Sequence, residues 1–125
     1  MLKILMVGVG GFAGAICRYL VYEATLILYK GAWFPLGTLT VNISGCFVIG
    51  ILGGLSETRE IFTPEIRALV FVGFLGGFTT FSTFAYENHI FLKGSDYLTM
   101  LPYIILTFTL GISAVFLGLY LAKIW

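Results

Sequence analysis

Residues 73–89 read Gly73-Phe74-Leu75-Gly76-Gly77-Phe78-Thr79-Thr80-Phe81-Ser82-Thr83-Phe84-Ala85-Tyr86-Glu87-Asn88-His89. The stretch lies inside an apolar run long enough to cross a bilayer, yet Gly76-Gly77 followed by Thr79-Thr80 makes a poor helix interior. Glycine costs about 1 kcal/mol relative to alanine there, and threonine is stiff at its first side-chain torsion. One reading is a helix broken near mid-membrane. Hydrocarbon tolerates this only where the freed backbone is buried in protein or lines a polar cavity. Freed carbonyls suit a small cation, and freed amides an anion. The other reading is an intact helix whose glycines serve packing and whose hydroxyls bond their own turn.

Outward from this stretch, four runs meet the requirement of about 20 mostly apolar residues for a membrane-spanning helix. They are residues 2–29, interrupted by Arg18 and Glu23; 36–55, free of charge; 64–92, opened by Pro64; and 97–122, closed by Lys123. Proline is tolerated at a helix start. The polar patch Ser56, Glu57, Thr58, Arg59, Glu60 and the turn Lys93-Gly94-Ser95-Asp96 separate the last three. Residues 1–125 therefore read as a single all-α transmembrane domain with short loops. The first run is too long for a cleaved signal peptide, and four continuous runs exclude a barrel of alternating strands.

Composition agrees. Hydrophobic residues are 59% of the 125 and charged residues 10%, with 16 glycines besides, and mean hydropathy is +1.03. Soluble domains carry about 25% charged residues, and so short a chain cannot hide this much apolar surface within itself. The net charge of +1 leaves no electrostatic footprint for nucleic acid. Cys17 and Cys46 sit in apolar runs and read as buried small hydrophobes. Enzyme chemistry is not suggested. The one histidine is His89, and no nucleophile–base pair or metal cluster stands out. The Gly8–Gly14 run lacks the strand that a dinucleotide turn needs.

Four spans put both termini on one side. Lys3, Arg59, Arg67 and Lys123 fall there, against Lys30 and Lys93 opposite, with Arg18 in the lower part of the first helix as a third. So slight a bias sets orientation weakly. Either other signals fix one orientation, or copies insert both ways and pair antiparallel. Small residues four apart let helices approach closely in lipid. Gly10/Gly14, Gly50/Gly54, Gly73/Gly77 and Ala114/Gly118 are such pairs, and their excess points to a second copy as well as to packing within the chain.

Several side chains are candidates for a pathway. Phe81 and Phe84 share a helix face, extended by Phe78. Ring edges carry positive partial charge and attract a small anion less tightly than a full cation does. Thr83 and Glu87 lie four apart with Ser82 close by, and an ionisable residue at this depth is a functional candidate. Asn42, alone in an uncharged helix, is either interhelical glue or a donor to an anion. Tyr103, Thr107, Thr109 and Ser113 in the fourth run pose the same choice. Arg18 either snorkels to the interface or draws anions into a vestibule.

These residues carry a resemblance. Gly10–Tyr19 (Gly-Gly-Phe-Ala-Gly-Ala-Ile-Cys-Arg-Tyr), Gly37-Thr38-Leu39-Thr40-Val41-Asn42 and Gly73–Phe84 make the whole chain similar to the Fluc/CrcB family of bacterial fluoride channels. The resemblance implies a dual-topology, antiparallel homodimer in the bacterial plasma (inner) membrane, exporting fluoride passively through two pores. It implies pore roles for Asn42, Phe81 and Phe84, a polar track at Ser82, Thr83 and Glu87, and weaker matches at Tyr103 and Thr107. Gly111 stands where some relatives carry serine, which leaves Ser113 as a candidate only. It further implies a structural sodium ion on the backbone carbonyls of Gly76 and Thr79. No nucleotide or nucleic-acid partner is implied. Two other classes stay open. A small proton-coupled multidrug exporter would want a carboxylate near the middle of its first helix, where Glu23 lies towards the end. A helper subunit of a membrane complex would need neither a broken helix nor a polar track.

Overall fold

The computed structural model describes residues 1–59 and 62–124; Glu60 of the polar patch lies outside them. The described residues form four helices long and apolar enough to cross a membrane: α1 (Leu2–Leu28), α2 (Leu36–Thr58), α3 (Pro64–Lys93) and α4 (Tyr97–Ile124). α2 runs past residue 55 to Thr58, whose hydroxyl donates to the Gly54 carbonyl at 2.9 Å.

α3 is not one helix. Thr63 caps its start by accepting from the Ile66 amide at 3.3 Å, with Pro64 in the first turn. A short α-helical turn, Pro64–Arg67, widens into a π-helical segment, Ala68–Leu75, and closes with Gly76–Phe78. Thr79 and Thr80 then adopt extended backbone, and an α-helix resumes over Phe81–Lys93. The broken reading of the Gly-Gly-x-Thr-Thr stretch is the observed one. Wide π turns are rare and gather at functional sites, and this one feeds directly into the break.

Glycine seams fix the packing. α1 lies against the first half of α3, where a Cβ on Gly10 or Gly14 would run into the backbone of Leu69 or Phe74. One on Gly77 would come within 2.6 Å of the Gly11 carbonyl oxygen. α2 packs in the same way on α4. A Cβ on Gly50 would strike the Val115 backbone, and one on Gly54 would sit 2.6 Å from the Ala122 Cβ. All four small-residue pairs are thus engaged within one chain, Ala114 and Gly118 being buried in the second seam. Their excess carries no argument for a second copy.

Elsewhere the chain is thinly buried. Only 11% of the most apolar window of α1 and of α4, 33% of that of α2 and 28% of that of α3 is covered. Phe12, Leu98 and Phe116 are among many large side chains left exposed, as lipid-facing helices require. Trp33 and Tyr29 stand exposed at the α1–α2 turn, the usual place of an interfacial aromatic anchor.

Candidate functional site

The break is held by side chains from the neighbouring helices. In an unbroken helix the Thr80 amide would bond the Gly76 carbonyl. Here it donates to Asn42 Oδ1 at 2.8 Å, while Asn42 Nδ2 donates to the Thr80 carbonyl at 3.0 Å. Asn42 is therefore interhelical glue, with one of its two N–H groups still uncommitted. Thr80 is 7% exposed and restarts the helix: its Oγ1 accepts from the Thr83 amide at 3.3 Å and donates to Thr83 Oγ1 at 3.0 Å. Ser82 Oγ lies 3.3 Å from the same hydroxyl but is otherwise exposed. Arg18 Nη1 donates to the Thr79 carbonyl at 3.4 Å.

The carbonyls proposed for sodium meet a simple fit test. Diverting the Thr80 amide to Asn42 releases the Gly76 carbonyl from its helical partner. Gly76 is exposed, with nothing within 4 Å of an added Cβ, so space adjoins it. The Thr79 carbonyl accepts the long bond from Arg18, while its amide and hydroxyl both donate to the Leu75 carbonyl. Two hard oxygens of this kind fit a hard cation.

A second polar cluster lies about two helical turns beyond the break. Glu87 accepts at Oε1 from Tyr22 Oη (2.7 Å) and Thr38 Oγ1 (2.8 Å), and at Oε2 from Tyr103 Oη (2.6 Å). Tyr22 and Thr38 also touch each other at 2.7 Å. The three donors come from α1, α2 and α4, so one carboxylate joins every other helix to α3. Tyr103 and Thr38 are fully buried. Ionisable groups within a membrane persist when partnered in this way.

Beside the break opens a cavity of about 440 Å³ between α2, α3 and α4. Asn42, Thr79, Thr80, Phe81, Phe84 and Thr107 are on its wall. Phe81 is 72% exposed and Phe84 only 6%, their ring centroids 5.8 Å apart. Phe84 is wedged against Tyr103 at 5.0 Å and Phe108 at 6.0 Å. Thr107 Oγ1 is buried without a hydrogen-bond partner.

The structure thus brings Asn42, Phe81, Phe84 and Thr107 to one cavity, ties Thr83 to Thr80 at the break, and joins Glu87 and Tyr103 in the second cluster. Ser113 is exposed and off the cavity wall, and Thr109 is an exposed hydroxyl bonded to the Ile105 carbonyl at 2.7 Å. Phe78 does not extend the Phe81/Phe84 stripe, because the break intervenes and Phe78 stacks on Phe74 instead. Arg18 does not snorkel; it turns to the break. Tyr22, Thr38 and Thr80 were not among the candidates. A signal existed for each. Tyr22 follows Arg18 by four residues and Thr38 precedes Asn42 by four, which puts each pair on one face, and Thr80 stands where a helix-restarting cap belongs.

Four spanning-capable helices, one broken and held open around a polar seam, define a small multi-pass membrane protein. The chain belongs to the CrcB family: the model for "CrcB-like protein, Camphor Resistance (CrcB)" matches residues 5–119. It is 46% identical over 123 residues to the fluoride-specific ion channel FluC of Gloeothece citriformis, covering 98% of both chains. It is 42% identical over 122 residues to that of Chlorobium phaeobacteroides strain BS1, covering 98% of this chain and 94% of the relative. It is 42% identical over 118 residues to fluoride-specific ion channel FluC 1 of Methanosarcina acetivorans, covering 94% and 88%.

Proposed function

We propose that this chain is a passive, fluoride-selective ion channel that lets cytoplasmic fluoride leave across the bacterial plasma (inner) membrane. The observation that carries the reading is the cavity where Asn42 and Thr107 present uncommitted donors beside the rings of Phe81 and Phe84. Fluoride is small and strongly hydrated, so a pathway has to replace its water with amide, hydroxyl and ring-edge donors while avoiding a full cation that would trap it. The relatives' names, all of them ion channels, supply the ion. Passive flow follows from the membrane potential, which drives an anion outward without ATP.

The same reading has two copies packed antiparallel, with pores along their interface. The slight charge bias between the two sides supports it, as does the open flank on which Phe81 stands exposed. A structural sodium would be held by the Gly76 and Thr79 carbonyls of each copy, where it would neutralise freed backbone dipoles. A proton-coupled exporter is not favoured: Glu23 lies towards the end of α1, and Glu87 is tied to three hydroxyls.

The test is fluoride efflux. Purified protein in liposomes loaded with potassium fluoride is treated with valinomycin, and release is followed with a fluoride electrode beside chloride-loaded controls. Fast fluoride release with chloride retained is the expected result. No release from well-folded protein overturns the reading.

A further inference from the structure

Arg18 stands three residues from the middle of α1 (Leu2–Leu28), which is about 4.5 Å along the axis. A charge this near the middle of a helix that spans a hydrocarbon core of about 30 Å lies within the apolar zone, and Arg18 is only half-buried by the chain itself. Charges there are paired or functional. Among the described residues no carboxylate pairs with Arg18, and its one side-chain hydrogen bond is to the Thr79 carbonyl. That carbonyl is also one of those proposed above for sodium. A carbonyl oxygen has two lone pairs, so it can accept from the guanidinium and still face a metal ion. Two cations on one oxygen nevertheless repel each other, and the repulsion is strong where water is scarce.

We propose that Arg18 is the chain's own cation at the break: it holds the Thr79 carbonyl when sodium is absent and competes with sodium when sodium is present. Arg18 is in this view a positioning residue that sets how tightly the break takes sodium. The inference rests on the sodium reading and extends it to Arg18, which the proposed function does not use. Two consequences are coupled. Without the guanidinium, the sodium-free break loses the one cation that the described residues bring to its carbonyl end. The sodium-bound break loses a like charge, so sodium binds more tightly. A ligand that binds the folded state stabilises it in proportion to the logarithm of its concentration over its dissociation constant, so both effects are read from unfolding curves.

The experiment uses the purified, full-length protein, with thermal unfolding followed across a sodium chloride series. Ionic strength is held constant with N-methyl-D-glucamine chloride. Wild type, Arg18→Gln and Arg18→Lys are compared. In the absence of sodium, Arg18→Gln unfolds at a lower temperature than wild type. Added sodium restores it, with a half-effective concentration about tenfold or more below that of wild type. Arg18→Lys, which keeps the charge, stays close to the wild-type half-effective concentration. Equal half-effective concentrations in wild type and Arg18→Gln overturn the role of Arg18 and leave the sodium site standing. Unfolding that ignores sodium in all three proteins overturns the sodium site and this inference together. Arg18→Gln protein that unfolds early at every sodium concentration also overturns the inference, because sodium then fails to replace the guanidinium. Arg18→Lys behaving as Arg18→Gln overturns it as well, since charge would not be the operative property.

Discussion

Asn42 and Thr80 exchange two hydrogen bonds, amide to carbonyl at 3.0 Å and backbone amide to side-chain oxygen at 2.8 Å. A side chain of α2 thereby imitates the rung that α3 gives up. Asn42→Asp keeps the acceptor for the Thr80 amide but loses the donor, and sets a carboxylate oxygen against the Thr80 carbonyl. The variant is expected to be about 1–3 kcal/mol less stable, the usual cost of an unmet buried polar pair, and to slow fluoride efflux. Thermal unfolding and the liposome assay check the two halves separately.

Phe81 and Phe84 are expected to part company under mutation. Phe81 is 72% exposed, so Phe81→Ile leaves stability within about 0.5 kcal/mol of wild type while fluoride efflux falls. Phe84 is packed against Tyr103 and Phe108. Phe84→Ala is expected to cost about 3–5 kcal/mol, as large core truncations do. Unfolding midpoints of the two variants, measured side by side, decide the matter.

Glu87 and Tyr103 form one end of a network that reaches four helices, so their substitutions are expected not to add. Tyr103→Phe leaves one carboxylate oxygen without its donor. Glu87→Gln turns an acceptor into a donor facing hydroxyls. Each is expected to cost about 1–3 kcal/mol, and the double variant less than the sum by more than about 0.5 kcal/mol. A double-mutant cycle on unfolding free energies gives the coupling.

Adjacent glycines make a sharp steric pair. A Cβ on Gly76 meets nothing within 4 Å, whereas one on Gly77 lands 2.6 Å from the Gly11 carbonyl oxygen. Gly76→Ala is expected to be neutral or to stabilise by up to about 1 kcal/mol, as the better helix former. Gly77→Ala has to force α1 away from α3 and is expected to lower the unfolding midpoint. The yield of folded protein and its melting curve separate them.

Much of this was legible in the residues. The four helices follow from apolar length alone, and Gly76-Gly77 set against Thr79-Thr80 makes a break one of two open readings, because helix cost is a local property. What joins the break to its neighbours was not legible. Nothing within α3 says that the Thr80 amide finds Asn42, thirty-eight residues earlier, rather than Gly76. Glu87 showed itself as a charge in an apolar run, but its three donors lie on three other helices. The glycine pairs were visible, while their partners were not; spacing shows that a helix can approach closely without showing what it approaches. Ser113 is a candidate only as a hydroxyl near Gly111, and it is exposed and off the cavity wall.

The two long glycine seams join α1 to α3 and α2 to α4, while successive helices meet at single glycines such as Gly37 and Gly45. Synthesis delivers α1 and α2 before either has its mate. The nascent chain must therefore keep two unsealed grooves in the lipid until residues from Pro64 onward arrive, and the second groove closes only when α4 is complete. A ribosome halted between α3 and α4 would leave the Gly50/Gly54 stripe open to whatever other helix passes by. The last helix, which contributes Tyr103 and Thr107 to the polar seam, is thus also the part that commits the chain to its final form.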